Sequence, residues 1–256
     1  MVATTQSGSA RPARTGFYVS MAFACLAVAV VGFAPTYFLP LAGGTFAMPP
    51  LMHVHGLLFF LWTGFLCAQS WLVANGRTLA HRDWGMLGVA LATAMVFSVL
   101  VTVVFRINQF AALGTGGSML TFSWVQVSGM AFFGGAVAAA VANVKRPEAH
   151  KRLMLLATIS LLDAPIARWF LTFAAPPPPP GPLAAPPVTV TVPPALVADL
   201  LIVAAVAYDW RTRGRPHPVW ILGGVVLVLM QVTRPVIAVT PQWEAAAALL
   251  GRLGAP

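Results

Sequence analysis

Residues Phe17 to Leu39 run for 23 positions without an Asp, Glu, Lys or Arg, and comparable apolar stretches recur along the chain. A helix of about 20 apolar residues crosses a bilayer core. Lipid offers no partner to a free backbone N–H or C=O, so a spanning chain must satisfy those groups internally. Only 8% of the 256 residues are charged and 59% are hydrophobic, far too little charge to cover a water-exposed surface. The sequence therefore predicts an all-α, polytopic integral membrane bundle.

Seven spans fit the pattern, at about 17–39, 51–75, 86–106, 119–144, 153–175, 195–210 and 218–240. Residues 1–16 read as a polar tail, 17–240 as the membrane domain with a proline-rich loop at 176–194, and 241–256 as a second tail. The first run exceeds the 7–15 residues of a signal-peptide core and reads as an uncleaved helix. Glycine-rich or basic turns such as Asn75-Gly76, Gly114-Thr-Gly-Gly117 and Arg213-Gly-Arg-Pro216 punctuate the connections. The five prolines Pro176–Pro180 predict a stiff polyproline II spacer. Pro241–Leu253 reads as a short interfacial helix anchored by Trp243.

Charge sets the expected orientation. With the N-terminus inside, eleven of the 15 basic residues lie on the inner side: Arg11, Arg14, Arg77, Arg82, Lys145, Arg146, Lys151, Arg152, Arg211, Arg213 and Arg215. Arg106, Arg168, Arg234 and Arg252 remain on the outer side or within spans. This asymmetry predicts N-in, C-out insertion in a bacterial cytoplasmic (inner) membrane. The same rule, with attraction to anionic lipid, explains the +9 net charge without invoking nucleic acid. The expected partners are the bilayer and other membrane subunits. Seven tryptophans, Trp71, Trp84, Trp124, Trp169, Trp210, Trp220 and Trp243, fall near span ends, as aromatic belts do. Cys25 and Cys67 lie within spans, form no CxxC, and read as small core residues.

Ionisable groups inside spans are costly and are usually paired or functional. The topology gathers most of them in the outer half: His53, His55, Arg106, Gln126, Asp163, Arg168, Asp199, Gln231 and Arg234. Pro35, Pro165 and Pro235 lie at similar depth, where kinks splay helices. Together they suggest an outward vestibule whose arginines, Arg106, Arg168 and Arg234, receive an anion or snorkel to headgroups. Asp163 and Arg168, five apart, point about 140° away from each other on a helix, so Asp163 calls for Arg106 or Arg234 as partner. His55, Trp62 and Gln69 recur every seven residues and drift only about 40°, giving one polar stripe on the second helix. His53 and His55 share one centre only if the chain there is still extended.

A short echo links the inner side. Arg77-Thr-Leu-Ala-His81-Arg82 and Arg146-Pro-Glu-Ala-His150-Lys151 share R-x-x-A-H-[RK], 69 residues apart, and each opens a helix. If those helices are neighbours, His81 and His150 supply two axial haem ligands; otherwise they serve the helix ends and the lipid interface. No GxGxxG, P-loop, HExxH or GxSxG motif occurs, so no soluble-enzyme chemistry is indicated.

The HxH of His53/His55, the GRxxxHRxxG turn from Gly76 to Gly85 and the HKRLM segment His150–Met154 resemble a group of bacterial polytopic membrane proteins with HRxLG and HRRWM-type segments. The likeness covers roughly residues 50–170, with Trp84, Lys151 and Leu153 departing from that pattern. It implies a membrane bundle and no particular activity. Histidines at both membrane faces are also loosely similar to di-haem membrane cytochromes, although the outer side offers histidines from one helix only. Three functions remain open: a redox or cofactor protein holding haem b or quinone near His53, His55, Trp62 and Gln69 or between His81 and His150, a transporter or binding protein for an anion, and a structural or assembly subunit of a membrane complex.

Overall fold

The computed structural model describes residues 12–175 and 181–254, with side chains from Gly16 onward. The helices are α1 Pro12–Phe33, α2 Leu39–Ala42, α3 Pro50–Ala74, α4 Thr78–Ala112, α5 Gly116–Ala142, α6 Pro147–Ile159, α7 Asp163–Trp169, α8 Val192–Ala198, α9 Leu200–Arg213, α10 Pro218–Ile237 and α11 Pro241–Arg252. Among the described residues there is no strand. Seven helical stretches are long and apolar enough to cross a membrane: Gly16–Ala42, Pro50–Ala74, Thr78–Ala112, Gly116–Ala142, Pro147–Ala174, Val188–Arg213 and Pro218–Ile237. The chain is an all-α membrane bundle.

Local chemistry sets the helix limits. Pro50, Pro147, Pro218 and Pro241 stand in first turns, where a missing N–H leaves no intrahelical bond unmade. Gly214 closes α9 in the left-handed region at φ 73°, which a side chain would resist. Three spans are interrupted. Ala34–Phe38, containing Pro35, winds as a π-helical turn. The fifth span stops at Ile159 and restarts at Asp163, with Pro165 in its new first turn. The sixth is broken at Asp199, between α8 and α9.

Two apolar cores hold the bundle. One gathers Cys25, Leu66, Leu156, Ile159, Trp220 and Leu227, and the other Trp62, Met95, Val103, Phe110, Phe133 and Ala247. Small residues bring backbones close, as expected where lipid gives helices no hydrophobic drive to associate. A Cβ added at Gly32 would lie 2.4 Å from the Pro165 side chain, tying α1 to α7.

Some expectations hold and others change. The third span is 35 residues long and begins at Thr78, ahead of the expected start near residue 86. Residues 188–194 of the expected proline-rich loop are helical and extend the sixth span. The expected short helix of the C-terminal tail is α11, and it is seated on α4 and α5: Trp243 Nε1 donates to the Leu120 carbonyl at 3.0 Å and Asn108 to that of Gly251 at 2.9 Å. Trp220, counted among belt residues, is buried in the core, while Trp71, Trp84, Trp169 and Trp210 are exposed. Cys25 and Cys67 are buried and unbonded. The tail residues 1–11 and the run Pro176–Pro180 lie outside the described residues.

The connections α3–α4, α5–α6 and α9–α10 share one end of the bundle, here the basic end. Pro49, the α4–α5 turn and residue 188 mark the opposite, proline-rich end.

Candidate functional site

At the basic end, α4 and α6 begin alike. Arg77 and Arg146 are the N-caps, and the histidine four residues on closes the first turn, with backbone bonds His81 N to Arg77 O at 3.1 Å and His150 N to Arg146 O at 3.0 Å. The two copies of R-x-x-A-H thus build equivalent helix starts, and their imidazoles face each other with centroids 6.2 Å apart and planes at 77°. His150 Nδ1 lies 2.8 Å from the Ala140 carbonyl. A carbonyl only accepts, so Nδ1 carries a proton, and in the neutral ring Nε2 is the nitrogen with the lone pair. An outer hydrogen bond of this kind orients metal-ligating histidines. His81 Nδ1 is buried without a hydrogen-bond partner.

Beside this pair lies a polar element that sequence reasoning missed. Arg152, 1% exposed, donates through Nε and Nη2 to both oxygens of Asp209, 0% exposed. Arg152 also reaches the Glu148 carboxylate at 2.7 Å, and Glu148 in turn holds Lys151 and Arg213. Arg152, one of the inner-side basic residues of the charge pattern, is a buried tie between α6 and α9. The periodicity carries the signal: Ala195, Ala198, Ile202, Ala205 and Asp209 are all buried at alternating three- and four-residue steps, the period of one helix face. His217, in the connection that follows, has its imidazole held below the ordinary histidine value by burial and by the charges of Arg152 and Arg213. Its Nδ1 accepts from Val219 N at 3.2 Å.

Toward the proline-rich end, helix α3 already begins at Pro50, so His53 and His55 diverge and share no centre. His53 Nδ1 meets the Tyr37 hydroxyl at 2.9 Å. His55 Nδ1 meets Ser98 Oγ at 3.2 Å, and that hydroxyl donates to the Met95 carbonyl, so His55 is the donor. Farther down the stripe, Trp62 Nε1 donates to Thr158 Oγ1 at 3.0 Å, and Gln69 is buried with neither amide atom paired. His55, Trp62 and Gln69 are thus each buried or half-buried against different neighbours.

The other predicted residues separate into two groups. Arg234 Nη1 donates to Asp163 Oδ2 at 2.9 Å, one of the two partners the spacing allowed. Gln231 Nε2 donates to Asp199 Oδ1 at 3.4 Å, and the fields of Asp163 and Arg234 both reach Asp199. Arg234 is 0%, Gln231 1% and Asp199 7% exposed. Both carboxylates stand at the breaks of their spans, and Gln231 and Arg234 continue the buried stripe Trp220, Gly224, Leu227 of α10. Gly129 of α5 faces this cluster, its added Cβ falling 3.8 Å from Arg234 Nη2, and one turn away Gln126 has its carbonyl oxygen buried and unpaired.

Arg106 and Arg168 form the second group. Arg106 donates to Gln109 at 2.7 Å and lies 4.7 Å over the Phe110 ring, and Arg168 lies 5.7 Å over Phe33 within the field of Arg106. Arg234 is turned inward and neutralised, so the three arginines do not act as one set. Two shallow clefts of about 320 Å³ are lined by none of the three. No protein-family model matches the chain, and no curated protein or solved structure matches it significantly.

Proposed function

We propose that the protein is a redox or cofactor-binding protein of a bacterial cytoplasmic membrane, oriented with its basic end inside, and that His81 and His150 hold a haem. The observation that carries this reading is the facing of the two imidazoles with His150 oriented by the Ala140 carbonyl. Two imidazoles sharing one metal at about 2.0–2.1 Å have centroids roughly 6 Å apart, which is the separation found. Among the described residues, no group of three or more His, Cys, Asp or Glu stands ready for a metal ion. A two-histidine set suits a centre that brings its own remaining ligands, and an iron porphyrin supplies four ring nitrogens and one-electron chemistry. This chain would contribute the two axial nitrogens, with His150 oriented by the Ala140 carbonyl. At the other end His53 and His55 each bond a hydroxyl, which favours one haem over two. An anion vestibule draws less support, because Arg234 is already neutralised by Asp163.

The test is an absorption spectrum of the detergent-purified protein, as isolated and after addition of haemin. The expected result is a Soret band and a reduced-minus-oxidised difference that vanish in His81→Ala and His150→Ala and persist in His53→Ala. A preparation that stays colourless after haemin, or a spectrum indifferent to both substitutions, overturns the reading.

A further inference from the structure

The Asp163–Arg234–Gln231–Asp199 cluster plays no part in the haem reading, and its hydrogen bonding is incomplete. Arg234 Nε and Nη2, Gln231 Oε1 and Asp199 Oδ2 are all buried without a partner. Charge is also unbalanced. The charged groups whose fields reach Asp199 are Asp163 from α7 and Arg234 from α10. Helix α5, which brings Gly129 against Arg234, has no charged residue, and neither has the turn Val188–Thr191 nor α8. Asp209, Arg211 and Arg213 of α9 lie at the opposite, basic end of that helix. Two carboxylates therefore share one guanidinium, and that guanidinium is bonded to Asp163. The cluster is one positive charge short in a place where an uncompensated carboxylate is very costly.

We propose that this cluster takes up one monovalent cation, a proton held on the Asp199 carboxyl and shared with Gln231. The geometry of the orphaned atoms selects it. An ionised Asp199 and the Gln231 amide can make a single bond, Nε2 to Oδ1, which is the 3.4 Å contact present. The two oxygens left over, Asp199 Oδ2 and Gln231 Oε1, are then both acceptors and cannot satisfy each other. One proton on Oδ2 converts it to a donor toward Gln231 Oε1 and closes a reciprocal acid–amide pair with two hydrogen bonds. A hard metal cation would need about six or more oxygen ligands, and it would sit beside the Arg234 charge. The proton needs one oxygen. Because Asp199 lies at the break between α8 and α9 and Gln231 on α10, the protonated pair ties the broken sixth span to the seventh. Ionisation removes one bond of the pair and adds a buried charge at the joint.

The test is infrared spectroscopy of the purified protein in lipid nanodiscs, with thermal unfolding followed across pH. The parent is expected to show the carbonyl stretch of a protonated carboxylic acid at neutral pH, shifted in deuterium oxide and absent in Asp199→Asn. Asparagine copies the shape of the neutral acid, so Asp199→Asn is expected to fold and keep the parent Tm. The folded state then binds a proton that the unfolded state has released, so stability falls as pH rises. The parent is expected to lose Tm toward alkaline pH, and Asp199→Asn to lose much less. A band that survives Asp199→Asn, or one absent from the parent, overturns the proposal. So does a Tm of the parent that rises with sodium but not choline at fixed pH and loses that response in Asp199→Asn, since the cation is then a metal ion.

Discussion

Replacing Arg152 by methionine tests whether the buried ion pair at the basic end fastens α6 to α9. Methionine keeps much of the length and apolar volume of the arginine stem, so the change removes the guanidinium and its bonds to Asp209 and Glu148 with little loss of packing. It leaves the Asp209 carboxylate fully buried with one remaining donor, the His217 backbone N–H at 3.1 Å. Stranding one member of a buried pair costs about 3–5 kcal/mol. The retained His217 bond puts the expectation near the lower end, about 3 kcal/mol. Asp209→Asn is gentler by construction. Arg152 keeps the Glu148 carboxylate at 2.7 Å and the Glu148 carbonyl at 2.8 Å, and the asparagine oxygen still accepts one of the two lost bonds. That variant is expected to lose about 1–2 kcal/mol. Removing both charges, as Arg152→Met with Asp209→Leu, is expected to recover most of the loss, since apolar replacements of buried pairs are often neutral. Unfolding by dodecyl sulfate in mixed micelles, followed by circular dichroism, gives the three free energies. A loss below about 1 kcal/mol for Arg152→Met, the value of an exposed pair, refutes the reasoning. So does an Asp209→Asn loss equal to it.

Other consequences are as specific. Gly32→Ala puts its Cβ 2.4 Å from the Pro165 side chain and 2.7 Å from Pro165 backbone atoms. Because that backbone cannot yield, the change is expected to cost about 1–3 kcal/mol in the same unfolding assay, whereas Gly64→Ala, which meets nothing within 4 Å, is expected to be tolerated. Trp62→Phe removes the 3.0 Å bond to Thr158, whose buried hydroxyl keeps only its donation to the Met154 carbonyl, an expected loss of about 1 kcal/mol that Thr158→Val should largely restore. His217 has a folded value held below the ordinary one, so the unfolded chain binds its proton first. Its contribution is whole above the ordinary histidine range and declines as pH falls below roughly 6.5. Thermal unfolding from neutral to mildly acidic pH should show that decline in the parent, and His217→Asn, which keeps a capping oxygen for Val219 N, should flatten it.

The likeness between Arg77–Arg82 and Arg146–Lys151 shows how far a short motif reaches. Both copies place arginine at the N-cap and histidine at the fourth helical position, a purely local outcome of sequence. That the two rings then meet at 6.2 Å depends on how the beginnings of α4 and α6 come together at the basic end, which no local pattern encodes. Arg152 and Asp209 were legible in principle, since each continues a buried stripe of its helix. A basic residue near a span end also suits a membrane surface, which hides the role of Arg152 in the sequence.

By itself the sequence determined the membrane bundle and its seven spans, because bilayer thickness and hydropathy act over one span at a time. It also limited Asp163 to an arginine on another helix. Only the tertiary structure decided that Arg234 is that arginine, that Asp199 is left to Gln231, and that Arg106 and Arg168 stand aside. Those choices turn on which helices are neighbours and how each is rotated. In a buried site, a shift of one helical turn separates a paired charge from a stranded one.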